Sequence, residues 1–181
     1  IAIVAEIASQ EAVRVLESHL MESDTTLHYH VVASLNKLAR QSPALLLDKQ
    51  MVETVLAAEI MGHYRSYQIL NMLDGNGGDD TTRRPLQENI AREQERIFRL
   101  LGLLYPHHDF RSAYFGLGCS DLTVRDNALE FLENILKPQM REILIPLLDS
   151  HLSIAQRAKA AARWVHAKVE TVEQAVAAGA D

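Results

Sequence analysis

Residues 121–132 read DLTVRDNALEFL. Asp121 is placed to cap a helix, because a short side-chain oxygen can accept from the first free backbone N–H groups. Val124, Ala128 and Leu132 then recur at intervals of four, with Phe131 and Ile135 beside them, so one face of a helix running to Ile135 is expected to be buried. The same pattern stands earlier in the chain. Residues 23–28 read SDTTLH and residues 120–125 read SDLTVR. Each hexapeptide opens a helix, and the apolar positions that follow coincide: Leu27 with Val124, Val31 with Ala128, Leu35 with Leu132. The offset is 97 residues (121 − 24).

Helical periodicity extends outward from these two segments over almost the whole chain, and strand-like alternation is nearly absent. A helix over 10–22 carries Val13, Leu16 and Leu20. A second over 24–40 carries Leu27, Val31, Leu35 and Leu38, and Ser42-Pro43 stops it, since proline disfavours helical geometry at the residue before it. A long helix from Asp48 to Leu73 has the stripe Val52, Val55, Leu56, Ile60, Tyr64, Tyr67, Leu70. Residues 74–84 (DGNGGDDTTRR) contain no apolar side chain and read as a flexible loop. Pro85 suits the first turn of the next helix, to about Tyr105, with Leu86, Ile90, Ile97, Leu101 and Leu104 inward. Shorter helices follow over 109–117, after Asp121, from Pro138 (Met140, Ile143, Leu144, Leu147, Leu148), over 152–165 and over 168–178, where Gly179 ends the last. Such a series without strands defines an all-α chain, either an α-solenoid of helical hairpins or an irregular multi-helix bundle.

The internal match makes the first alternative more specific. A HEAT unit has a leucine-rich first helix with a proline inside it, an aspartate turn, and a second helix that starts with a Val-Arg pair and continues through Ala and Leu. Asp121, Val124, Arg125, Ala128 and Leu132 resemble that second helix, and residues 143–149 (ILIPLLD) with Pro146 resemble the first helix of a next unit. The offset fits about two HEAT periods of roughly 40–47 residues plus an insertion. In the first unit His28 stands where the arginine is expected and Val31 where the alanine is. The resemblance implies a single HEAT-like, armadillo-like domain over 1–181 with a loop at 74–84. A narrower likeness lies in ERIFRLLGLLYP (95–106), DNALEFLENIL (126–136) and IPLLD (145–149), which resemble the helical region after the membrane part of bacterial ATP/ADP-translocase-like transporters. It implies a cytoplasmic location, as the cytoplasmic part of an inner-membrane protein, and a regulatory role beside a nucleotide transporter. Ile1 sits inside an apolar stretch (IAIVAEIA), so the chain is expected to be a piece of a longer polypeptide.

Bulk properties exclude several classes. With 48% hydrophobic and 23% charged residues, the chain of 181 can bury a core. A net charge of −6 argues against nucleic acid as the partner and against attraction to an anionic membrane. No apolar run has the roughly 18 residues of a membrane span. Cys119 is the only cysteine, so there is no internal disulfide and no thiolate zinc site.

The search for chemistry yields few candidates. GNGGDD (75–80) is glycine-rich, but no strand precedes it and its aspartates repel phosphate. His28 and His30 are two apart and diverge on a helix, and His107-His108 lack the spacing of a helical zinc site. Cys119 with His107 or His108 as base is a weaker reading than a structural cysteine. The sharpest candidate is Glu59 with His63, four apart on the long helix, with Glu93 or Glu95 coming from the next helix. These could form a metal site in a helical-bundle metalloprotein (Glu59, His63, Glu93) or, more plainly, a polar pair bridging two helices. Arg92, Arg96 and Arg99, interleaved with Glu88, Glu93 and Glu95, form a charged face for docking or solvation. Convergent polar groups are lacking, so the expectation is a non-catalytic scaffold with no cofactor, whose partners are proteins or neighbouring domains.

Overall fold

The computed structural model describes residues 8–22, 24–77 and 79–164. Among these residues there are eight helices and no strand, so the described part of the chain is all-α. They are α1 (Gln10–Glu17), α2 (Thr25–Gln41), α3 (Lys49–Gly75), α4 (Asp80–Leu104), α5 (Phe110–Leu117), α6 (Leu122–Ile135), α7 (Pro138–Leu148) and α8 (Ile154–Trp164). The helix expected over 168–178 lies outside the described residues.

Helix boundaries follow local chemistry. The Asp24 carboxylate accepts from the backbone N–H groups of Thr26 and Leu27, both at 2.9 Å. Asp121 accepts from Thr123 N–H at 2.8 Å. Ser9 does the same for Ala12 at 3.1 Å. These are side-chain partners for N–H groups that a helix start otherwise leaves unpaired. α1 is shorter than its apolar stripe. It stops at Glu17, and tighter three-residue turns carry the chain on, with Leu20 N–H bonded to the Glu17 carbonyl. Leu20 is fully buried all the same.

The turn between α3 and α4 is narrower than the expected loop over 74–84. α3 runs to Gly75 and α4 begins at Asp80. Gly77 has φ +69°, the left-handed region where glycine carries no steric penalty. Thr81 hydroxyl donates to Asp79 at 2.7 Å, and Arg83 pairs with Asp74 at 2.7 Å. Pro85 therefore lies inside α4 rather than in its first turn. Its missing N–H leaves the Thr81 carbonyl without a helical donor, which is cheap because Thr81 is exposed to water.

The chain divides into two compact units. Unit 1 comprises Ile1–Ala58 and Glu95–Arg111, and unit 2 comprises Glu59–Gln94 and Ser112–Asp181. The chain passes from unit 1 to unit 2 within α3 and back again within α4.

In unit 1, α1 packs on α2. Ala12, Val13, Leu16, Val31, Val32, Leu35 and Leu38 are buried. The loop after α2 is tied back by Gln10, whose side chain donates to the Leu46 carbonyl at 2.7 Å and accepts from its N–H at 2.9 Å. Glu17 accepts from Asp48 N–H at 2.6 Å.

In unit 2, α7 packs on both α6 and α8. Ala128, Leu132, Leu136, Leu144, Leu147 and Leu148 are buried. α7 continues through Pro146 to Leu148. Gly116 of α5 faces Ala128 of α6 so closely that a Cβ added to it would lie 2.9 Å from the Ala128 Cβ. Val124, expected inward, is 40% exposed. It stands in the first turn of α6 beside Gly116, and a residue without a side chain cannot cover it.

Candidate functional site

The apolar stripe of α3 continues through Ile60, Tyr64, Tyr67 and Leu70, all buried. His63 comes three residues after Ile60 and four before Tyr67, so helical geometry turns it toward the same interior. It is fully buried. On α4, Glu93 comes three residues after Ile90 and four before Ile97, and it is 6% exposed. A carboxylate and an imidazole removed from water need hydrogen-bond partners, and here they supply them to each other. His63 Nδ1 lies 3.0 Å from Glu93 Oε2. With Glu93 as the acceptor, the proton in this bond is the one on the ring Nδ1. The other carboxylate oxygen accepts from Ser66 hydroxyl at 2.8 Å and from Asn89 Nδ2 at 2.7 Å. Glu93 thus takes three donors, two from α3 and one from its own helix.

The cluster continues toward the C-terminal helices of unit 2. The Tyr67 ring meets His63 edge-on, with centroids 5.1 Å apart and planes at 79°. Arg157 of α8 lies over the Tyr67 ring, its Cζ 5.0 Å from the centroid. Its Nη1 donates to Tyr67 Oη at 2.5 Å and its Nη2 to the Asp149 carbonyl at 2.7 Å. One turn away, Tyr64 hydroxyl donates to the Ile143 carbonyl of α7 at 2.5 Å. Burial pushes the Tyr64 phenol up to about 12. Side chains of α3 therefore bind α4, α7 and α8 through polar contacts set into an apolar core. A buried polar network of this kind fixes helix register, because a slip would break the His63–Glu93, Ser66–Glu93 and Arg157–Tyr67 bonds at a cost of about 1–3 kcal/mol for each group left unpaired.

The sequence candidates fall in different places. His63 and Glu93 meet. Glu59 is half-buried one turn earlier, and the carboxylate on His63 Nδ1 is that of Glu93. Among the described residues, no group of three or more His, Cys, Asp or Glu side chains could hold a metal ion. Glu95 belongs to another cluster, in unit 1. It accepts from Tyr29 hydroxyl at 3.2 Å and from Arg99 Nη2 at 2.7 Å. The Arg99 guanidinium also stacks on the Tyr29 ring at 5.0 Å, and Asn36 Nδ2 donates to the Arg99 carbonyl at 2.9 Å.

The charged face expected of Arg92, Arg96 and Arg99 is corrected at two of its three positions. Arg96 is 6% exposed and Arg99 is half-buried and bonded to Tyr29 and Glu95, so only Arg92 is exposed. The reason is register: Arg96 adjoins Ile97 and lies four before the buried Leu100, on the edge of the apolar stripe.

His28 is buried and His30 exposed, as two positions two apart on a helix must diverge. The His28 imidazole is held below its ordinary range, first by burial and then by the Arg96 charge. His107 and His108 are exposed. Cys119 is half-buried, and its backbone carbonyl accepts from Arg125 Nε. Arg125 thereby ties the start of α6 to the turn before it.

Sequence reasoning misses Ser66, Asn89 and Arg157. Ser66 stands three residues after His63, and Asn89 four before Glu93, so a polar stripe on each helix is the signal that could find them. It also misses the large apolar side chains left exposed: Phe115 and Leu122 in unit 2, Met21 and Leu46 in unit 1.

Comparison of the chain with known protein families, with curated proteins and with solved structures gives no match. Among the described residues no helix is long and apolar enough to cross a membrane.

Proposed function

We propose that this chain is a non-catalytic helical-repeat module that binds protein partners or neighbouring domains. The observation that carries the reading is the recurrence of one capped helix. Asp24 and Asp121 each accept the N–H two residues further on, and the matched positions Val31 with Ala128 and Leu35 with Leu132 are buried in α2 and α6. One copy belongs to unit 1 and the other to unit 2. Repetition of a capped, half-apolar helix is what a stack of hairpins needs, since no single hairpin can bury its own apolar face. The pairing of α1 with α2 and of α7 with α6 and α8 supports the HEAT-like form of this reading. Within unit 2, Tyr64–Ile143 and Tyr67–Arg157 join residues 79 and 90 apart in sequence, which favours a compact packing of hairpins over an open, nearest-neighbour stack.

The polar cluster around Glu93 supports a structural role over chemistry. The donors that meet its carboxylate are buried or half-buried, so it serves the packing of α3 and α4. Exposed apolar side chains such as Phe115 (61%) and Leu122 (57%) are the surface that a partner would use.

The test is photo-crosslinking. A benzoyl-phenylalanine placed at position 115 or 122 is expected to capture a defined protein in cells that make this chain. That protein, purified, should bind the purified chain saturably, and Phe115→Ser should weaken the binding. Absence of any protein adduct at the exposed positions, or a captured protein that does not bind when purified, overturns the reading.

A further inference from the structure

We draw no further inference here: the strongest candidate, the inward-facing Nε2 of His63 in the buried α3–α4 side-chain cluster of unit 2, belongs to the site already described, and the described residues offer no group of three ligands that would hold an ion beside it.

Discussion

His63 of α3 and Glu93 of α4 form a buried pair at 3.0 Å, 30 residues apart in sequence. Removing Glu93 takes away the hydrogen-bond partner of the buried His63 ring, whereas removing His63 leaves Glu93 with Ser66 and Asn89. Glu93→Ala strands His63 Nδ1, Ser66 hydroxyl and Asn89 Nδ2 together, and is expected to cost about 3 kcal/mol of unfolding free energy. Glu93→Gln keeps an oxygen for Ser66 and Asn89 and is expected to cost less. Urea unfolding followed by circular dichroism measures both. Equal stability of Glu93→Ala and the parent chain would remove the cluster from the account of the core.

The two caps predict a graded pair of losses. Asp24 serves two N–H groups and Asp121 one. Asp24→Ala and Asp121→Ala should each destabilise by about 1 kcal/mol, with Asp24→Ala the larger. Asn at either position should restore most of the loss, because its amide oxygen accepts the same bonds. Thermal unfolding of the four variants reads this directly.

Two glycines predict opposite signs for one substitution. Gly62 lies within α3, and a Cβ added there would meet nothing within 4 Å, so Gly62→Ala should stabilise by about 0.5–1 kcal/mol through helix propensity alone. Gly116 is also helical, but its added Cβ would meet Ala128 Cβ at 2.9 Å. That atom is fixed to the backbone of α6 and cannot swing away. Gly116→Ala should therefore destabilise by about 1–3 kcal/mol despite the better propensity. Adding Ala128→Gly should recover part of the loss, which a purely local effect at 116 would not allow. Chemical denaturation of the three variants beside the parent chain supplies the comparison.

His28 predicts a pH dependence of definite sign. Burial and Arg96 lower its pKa in the folded chain below the ordinary 6.5. Above that value the imidazole is neutral in both folded and unfolded chains, and it adds no slope. As pH falls through 6.5, the unfolded chain takes up a proton that the folded chain resists, so stability declines. The decline from this group levels off once pH passes below the lowered folded value. His28→Gln should show a shallower loss of stability between neutrality and mild acid than the parent chain. Unfolding curves across that range compare the two slopes.

Much of the helical core is legible in the sequence because it is periodic. Every member of the stripe from Val52 to Leu70 is buried, since on a long helix one period fixes one face. Helix ends are less legible. Residues 80–84 carry no apolar side chain, yet they form the first turns of α4. An exposed helix start needs no apolar face, and the Arg83–Asp74 pair joins it to the end of α3. The His63–Glu93 meeting is visible as positions on two stripes, but Glu59, four residues from His63, is an equally good partner by spacing. Only the packing of α4 against α3 distinguishes them. Arg157 is illegible for a different reason: its partner Tyr67 is 90 residues away, and no local pattern encodes so distant a contact.

The division of α3 and α4 between the two units bears on how the chain is assembled during synthesis. Unit 1 needs both Ile1–Ala58 and Glu95–Arg111, and the bonds from Tyr29 to Glu95 and from Asn36 to Arg99 join these stretches. A ribosome delivers residues 59–94 of unit 2 before unit 1 has its last strip. Unit 1 therefore cannot close as soon as its first stretch emerges, and the part of unit 2 made in the meantime lacks the helices it packs on. Emerging helices must wait with their apolar faces uncovered until partners far along the sequence arrive. Cutting the gene at any single point would likewise leave at least one unit short of a piece.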